Sequence, residues 1–211
     1  MKAILFDLDG VIIDSGQLHY EAWKLFCARY NKKMTYEEFK KGFGRTNNDI
    51  LKDIMGKELT REEVNNLSEE KEGIFRSLAK GRIKTIDGAI DFIKKIKAGK
   101  YKIALVSSTP RENINFILRE ISLLDYFDVI ISSEDVMNGK PNPECYLRAA
   151  ERLGVSAKDC IVIEDAIAGV EAALLAGMKC IAITTTQPRE KLVAATYIID
   201  SYSEIKESWL K

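Results

Sequence analysis

Two aspartates, Asp7 and Asp9, close the first apolar run of the chain, Lys2-Ala3-Ile4-Leu5-Phe6. A run this short and this apolar predicts a buried strand rather than a helix. Residues i and i+2 of extended chain share a face, so both carboxylates can reach one reacting centre. Gly10 behind them lets the backbone turn sharply. Two acids so close repel one another unless a cation or other positive groups lie between them. One can then stay ionised as nucleophile or metal ligand, while the other carries a proton as general acid or base. Asp-Gly is also a common turn pair, so the stretch alone reads as well as a turn with exposed acids.

Three further clusters follow apolar runs. Ser107-Ser108-Thr109 comes after Lys102–Val106, Lys140-Pro141-Asn142-Pro143 after Val129–Ile131, and Glu164-Asp165 after 160–163. Each has a plainer reading: a helix cap, an ordinary loop, and acids suited to a helix N-terminus. With Asp7 and Asp9 they gather four acids, small hydroxyls and a lysine where open α/β sheets bind ligands, beyond the carboxyl ends of the strands. Phosphoryl transfer needs such parts: a nucleophile, a hard oxygen-liganded cation, donors for the phosphoryl oxygens and an acid for the leaving group. Carboxylates at two strand ends suit Mg²⁺, which keeps waters and takes few protein ligands. At about 4 Å and an effective dielectric near 20, a lysine–phosphate pair is worth roughly 4 kcal/mol.

The elements that must hold these residues fall into two textures. From Asp14 to about Lys80 the spacing is helical: 18–29, Tyr36–Gly42, Asn47–Met55 and 60–79, the last opening on the capping-box pattern Thr60-Arg61-Glu62-Glu63. No strand-like run interrupts it, so a small helical unit is inserted after the first strand. Beyond Gly81 helices are expected at 86–96, 113–121, 143–153, 166–176 and 203–210. They alternate with strands at Lys102–Val106, Val129–Ile131, 160–163, Lys179–Ile183 and Tyr197–Ile199. Unbroken apolar strands alternating with helices predict an α/β fold, its parallel sheet covered on both faces.

Composition excludes more than it asserts. Basic and acidic residues balance at 32 each, so no nucleic-acid or membrane-surface binding is indicated. The lysine-rich stretch 94–100 has apolar residues between its charges and reads as a solvated helix end. No secretory signal and no span of about 18 uncharged apolar residues is found. The four cysteines form no Cys-x-x-Cys pair, and His19 is the lone histidine, so reduced buried thiols in a cytoplasmic protein are expected rather than a zinc cluster.

Asp7-Leu8-Asp9-Gly10, Ser107, Lys140 and Glu164-Asp165 resemble the four motifs of the haloacid dehalogenase-like superfamily, in order and over essentially the whole chain. Asp7 to Ser15 with His19 beyond, and Gly139-Lys140-Pro141-Asn142-Pro143, are similar to its β-phosphoglucomutase-like branch. The resemblance implies a Rossmann-like core (1–13 and 82–211) with an inserted helical cap (14–81), hinged near 14–16 and 81–88. It implies Asp7 as nucleophile and Asp9 as general acid and base, with Ser107 and Lys140 on the phosphoryl group. Mg²⁺ would be held by Asp7, the Asp9 backbone carbonyl, Asp165 and Glu164, the last as ligand or as partner of one. Asp9 argues against dehalogenation, since dehalogenating relatives lack that acid.

The expected function is hydrolysis of a small phosphorylated metabolite, a sugar phosphate above all, by a monomer. A sugar-phosphate mutase is the alternative enzyme, and a phospho-accepting receiver domain the alternative of another class. Substrate contacts are expected from His19, Ser108, Thr109 and the cap loop Gly44-Arg45-Thr46-Asn47-Asn48-Asp49. Arg45 could clamp a second anionic group or pair with Asp49. In the mutase, arginine and lysine occupy the positions that align with Asn47 and Pro110 here. Arg45 and Arg111 lie close enough in sequence to replace them.

Overall fold

The computed structural model describes residues 1–42, 45–99 and 101–210. Its first strand, β1 (Ala3–Phe6), is buried at every residue, as a strand covered on both faces requires. There follow β2 (Ile13–Asp14), four helices, α1 (Gly16–Arg29), α2 (Tyr36–Gly42), α3 (Asn47–Met55) and α4 (Arg61–Ala79), and then β3 (Lys84–Thr85). Strands and helices alternate from there: α5 (Ala89–Ala98), β4 (Lys102–Val106), α6 (Arg111–Glu120), β5 (Val129–Ile131), α7 (Glu144–Leu153), β6 (Cys160–Glu164), α8 (Ile167–Leu175), β7 (Lys179–Ile183) and β8 (Tyr197–Ile199).

Six strands make one parallel sheet in the order β5-β4-β1-β6-β7-β8. The chain runs outward from β1 through β4 to β5, then returns to the other side of β1 and runs out through β6 to β8. Ligands bind at such a reversal. Phe6 lies opposite both Leu105 and Ile163, so β1, β4 and β6 end level with one another. Ile4 and Phe6 enter one apolar cluster with Ile93, Ile114 and Ile117. Ala3 and Leu5 enter another with Tyr146, Ala149 and Ala172. The period of two thus fills both faces of the sheet.

The apolar faces of the inserted helices continue the cluster that contains Ile4 and Phe6. Leu18, Ala22, Trp23 and Phe26 of α1 are buried, as are Ile74, Phe75 and Ala79 of α4, and the two helices pack together. The capping box of α4 is formed, Thr60 and Glu63 each bonding the other's backbone N–H.

The structure differs from the sequence reading in its small elements. β2 and β3 pair antiparallel at the two crossings between helices and sheet, Ile13 opposite Thr85. Two-residue strands fall below any periodic signal. The helix expected at 86–96 begins only at Ala89, because Ile86 and Ala89 close a turn with a 3.0 Å backbone hydrogen bond. In place of a closing helix at 203–210 stand two 3₁₀ turns, Tyr202–Glu204 and Glu207–Leu210. There the Ser201 and Glu204 backbone–side chain pair turns the chain instead of extending it. The four cysteines are buried and unpaired. Among the described residues no helix is long and apolar enough to cross a membrane.

Candidate active site

The backbone N–H of Asp7 bonds the Ile163 carbonyl at 3.0 Å, carrying β1 one residue beyond its last ladder pair. Gly10 then turns back with φ +79°, and a Cβ on it would lie 2.2 Å from Asp165 Oδ2. A glycine is therefore required for the loop to close on Asp165. On the neighbouring strand end, Glu164 is fully engaged. Its Oε1 accepts from Lys140 Nζ at 2.6 Å and Tyr146 Oη at 2.8 Å, and its Oε2 from the backbone N–H groups of Asp165 and Ala166. Lys140 Nζ also reaches Asp7 Oδ1 at 2.6 Å, with its side chain only 6% exposed. Glu164 thus aims the lysine at Asp7.

Asp9 is held by a different set. Its Oδ1 accepts from the Ser15 hydroxyl and lies 3.5 Å from His19 Nε2, and its Oδ2 accepts from Thr109 Oγ1 at 2.9 Å. Ser107 Oγ accepts from the Thr109 N–H at 3.1 Å. That bond shapes the loop after β4 and leaves the serine hydroxyl able to donate.

Charge separates the two aspartates. Burial and the neighbouring Glu164 and Asp9 charges push the Asp7 carboxyl up to about 7, against the pull of Lys140. Burial also acts on Asp9, but His19, Ser15 and Thr109 more than offset it and bring that carboxyl down to about 2. Asp165 is driven well above the usual carboxylate range by burial and by Glu164 and Asp7. One ligand atom each from Asp7, Glu164 and Asp165 lie within 4.8 Å of one another.

Residues 4–183 match the family of haloacid dehalogenase-like hydrolases. The chain belongs to this family. It is 34% identical over 183 residues to a phosphorylated carbohydrates phosphatase of Thermotoga maritima, covering 85% of this chain and 83% of the relative. It is 31% identical over 212 residues to the β-phosphoglucomutase of Bacillus subtilis, covering 97% of this chain and 92% of that one. Among solved structures, a family IA HAD hydrolase of Entamoeba histolytica superposes with TM-score 0.90 at 33% identity, over 100% of this chain and 97% of that one. As a HAD-like hydrolase with an inserted helical layer, the chain is not a receiver domain.

A divalent cation fits what this HAD-like site presents. Three buried carboxylates share one lysine, and two of the three are pushed above their ordinary range by mutual repulsion and burial. A hard cation among carboxylate oxygens removes that excess charge. Asp7 and Asp165 have the oxygens to hold it. Glu164 belongs to the same cluster and also accepts four hydrogen bonds, one of them from Lys140.

The motif residues Asp7, Asp9, Ser107, Lys140, Glu164 and Asp165 all come to one sheet edge, and His19 joins them from α1. The inserted helices place the rest differently. Arg45 is exposed and pairs with Asp53 at 2.8 Å, not with Asp49. Arg111 donates to the Ile130 carbonyl at 2.7 Å and to Asp135 at 2.5 Å. Thr46 caps α3, bonding Asp49, and sits against Gly139 beside Lys140. Asn47 donates to Glu72 at 2.8 Å. Ser108 is partly exposed at the loop after β4, while Thr109 is turned to Asp9. Gly44 lies outside the described residues.

Sequence reasoning missed Ser15, Tyr146 and Thr186, whose hydroxyls hold Asp9, Glu164 and Asp165. It also missed the buried pair Lys71 and Glu72 on α4. Those two sit within the charged run Glu69-Glu70-Lys71-Glu72, which resembles a solvated helix face. The available signal was position: Lys71 stands three and four residues before the buried Ile74 and Phe75.

Proposed function

We propose that the chain is a Mg²⁺-dependent phosphatase that hydrolyses a small phosphorylated metabolite of the sugar-phosphate class through an aspartyl phosphate on Asp7. Asp7 attacks phosphorus and the bond from phosphorus to the leaving oxygen breaks. Asp9 supplies the proton that oxygen takes up. Water then attacks the acyl phosphate, Asp9 accepts its proton, and Asp7 and inorganic phosphate are released. Lys140 offsets charge on Asp7 and on the phosphoryl oxygens, and Ser107 donates to one of them. The cation, when bound, keeps Asp7 ionised and neutralises phosphoryl charge. The ionised state that His19, Ser15 and Thr109 favour at Asp9, with both oxygens accepting, is the base form that the second step uses.

The observation that carries hydrolysis over phosphoryl return is the engagement of the two candidate cations, Arg45 and Arg111. A mutase must hold a second phosphate while a bisphosphorylated intermediate turns round. Arg45 and Arg111 are bound to Asp53 and Asp135, and Asn47 to Glu72. A cleft of about 560 Å³ beside the Lys140 loop is lined by Thr46, Asn48, Asp49, Asn138 and Asn142, with no basic side chain among its described residues. The similarity to a phosphorylated carbohydrates phosphatase supports the same reading. The test uses β-glucose 1-phosphate with a trace of its bisphosphate and Mg²⁺. Phosphate release is expected to outrun glucose 6-phosphate formation, and the reverse order would establish the mutase.

A further inference from the structure

Lys71 and Glu72 are buried side by side, their side chains 2% and 3% exposed and 2.8 Å apart. Lys71 Nζ is 2.9 Å from His19 Nδ1, and His19 Nε2 is 3.5 Å from Asp9. The ammonium therefore stands one imidazole away from the acid that serves the leaving oxygen. The Trp23 and Phe75 rings lie 5.0 and 5.5 Å from it and keep water away. Left alone, such a desolvated cation would attract any second anionic group on a substrate. Glu72 prevents this. Its Oε1 accepts from Lys71 and Asn47, and its Oε2 from Asn113 across the seam on α6. Burial would raise its carboxyl, but Lys71 and His19 overcome that and hold it below the usual range, so it is ionised. The nearby Arg76 is occupied as well, by Glu69, Glu112 and Asn113.

We propose that Glu72 is a specificity-determining residue. By cancelling the Lys71 charge it makes the helical wall opposite Asp9 neutral, and so directs the enzyme to monophosphates whose leaving group carries no second phosphate or carboxylate. The inference rests on the phosphatase reading and deepens it. Toward a neutral, hydroxylated leaving group the buried pair presents no net charge. A second phosphate, carrying nearly two charges at neutral pH, would find Lys71 and Arg76 already paired with carboxylates.

The test is competition against hydrolysis of para-nitrophenyl phosphate with Mg²⁺ present. Fructose 6-phosphate and fructose 1,6-bisphosphate compete in wild type, Glu72→Gln and Glu72→Asp, with thermal midpoints recorded alongside. Wild type is expected to bind the monophosphate more tightly. In Glu72→Gln, where the Lys71 charge is uncovered and the Asn47 amide can rotate to accept, the ratio of inhibition constants should move toward the bisphosphate by about tenfold. Glu72→Asp, which keeps the charge, should restore the wild-type ratio. Tighter bisphosphate binding by wild type, or an unmoved ratio in folded Glu72→Gln, overturns the inference and leaves the phosphatase standing. If Glu72→Gln does not fold, the wild-type preference alone decides. No phosphate release from para-nitrophenyl phosphate overturns the phosphatase reading, and this one with it.

Discussion

Burial and two neighbouring carboxylates work against the charge of Asp7, and Lys140 is the ammonium that touches it. An acid raised in the folded state, here to about 7 from 3.8, costs stability only where it must ionise. The cost is absent below its unfolded value, grows as pH rises through the interval, and is complete above about 7. In metal-free protein the wild-type unfolding midpoint should therefore fall, relative to that of Asp7→Asn, as pH rises from 4 to 8. Mg²⁺ at neutral pH should raise the wild-type midpoint and leave Asp7→Asn little changed. Parallel pH curves, or equal shifts with Mg²⁺, would contradict the charge argument. Asp9 is the opposite case, since His19, Ser15 and Thr109 favour its ionised form. At this scale the acids were legible in the sequence because each follows an apolar strand. Ser15, Tyr146 and Thr186 were not, because an isolated hydroxyl has no pattern until the fold brings it to a carboxylate.

Elements set the precision of the site. Helix α8 follows β6 so closely that a Cβ on Gly169 would lie 1.8 Å from Glu164 Oε1. Glu164 aims Lys140, so displacing it should spoil the approach to Asp7. Gly169→Ala is expected to fold, by its far-UV circular dichroism, and to lose kcat by about tenfold or more. Wild-type kcat in that variant would show that the lysine finds Asp7 without Glu164. The sheet strands were readable because each is an unbroken apolar run flanked by turns. The antiparallel pair of β2 and β3 was not, since two residues carry no period. The closing 3₁₀ turns were misread because Tyr202, Ile205, Trp209 and Leu210 are apolar at helix-like intervals, while Ser201 and Glu204 bend the chain.

Across the whole molecule, the helical layer and the sheet meet at a seam of named bonds. Glu72 accepts from Asn113, Arg76 donates to the same residue, and Thr46 rests against Gly139. The Lys71 and Glu72 pair connects that seam through His19 to Asp9. All of this rests on Asp7 taking the phosphoryl group. Acid quench of the enzyme during turnover of ³²P-labelled substrate, followed by peptide mapping, tests that directly. Label should appear on the peptide containing Asp7 in wild type and be absent from Asp7→Asn, which should also lose turnover. Label elsewhere, or comparable turnover by Asp7→Asn, would contradict the account.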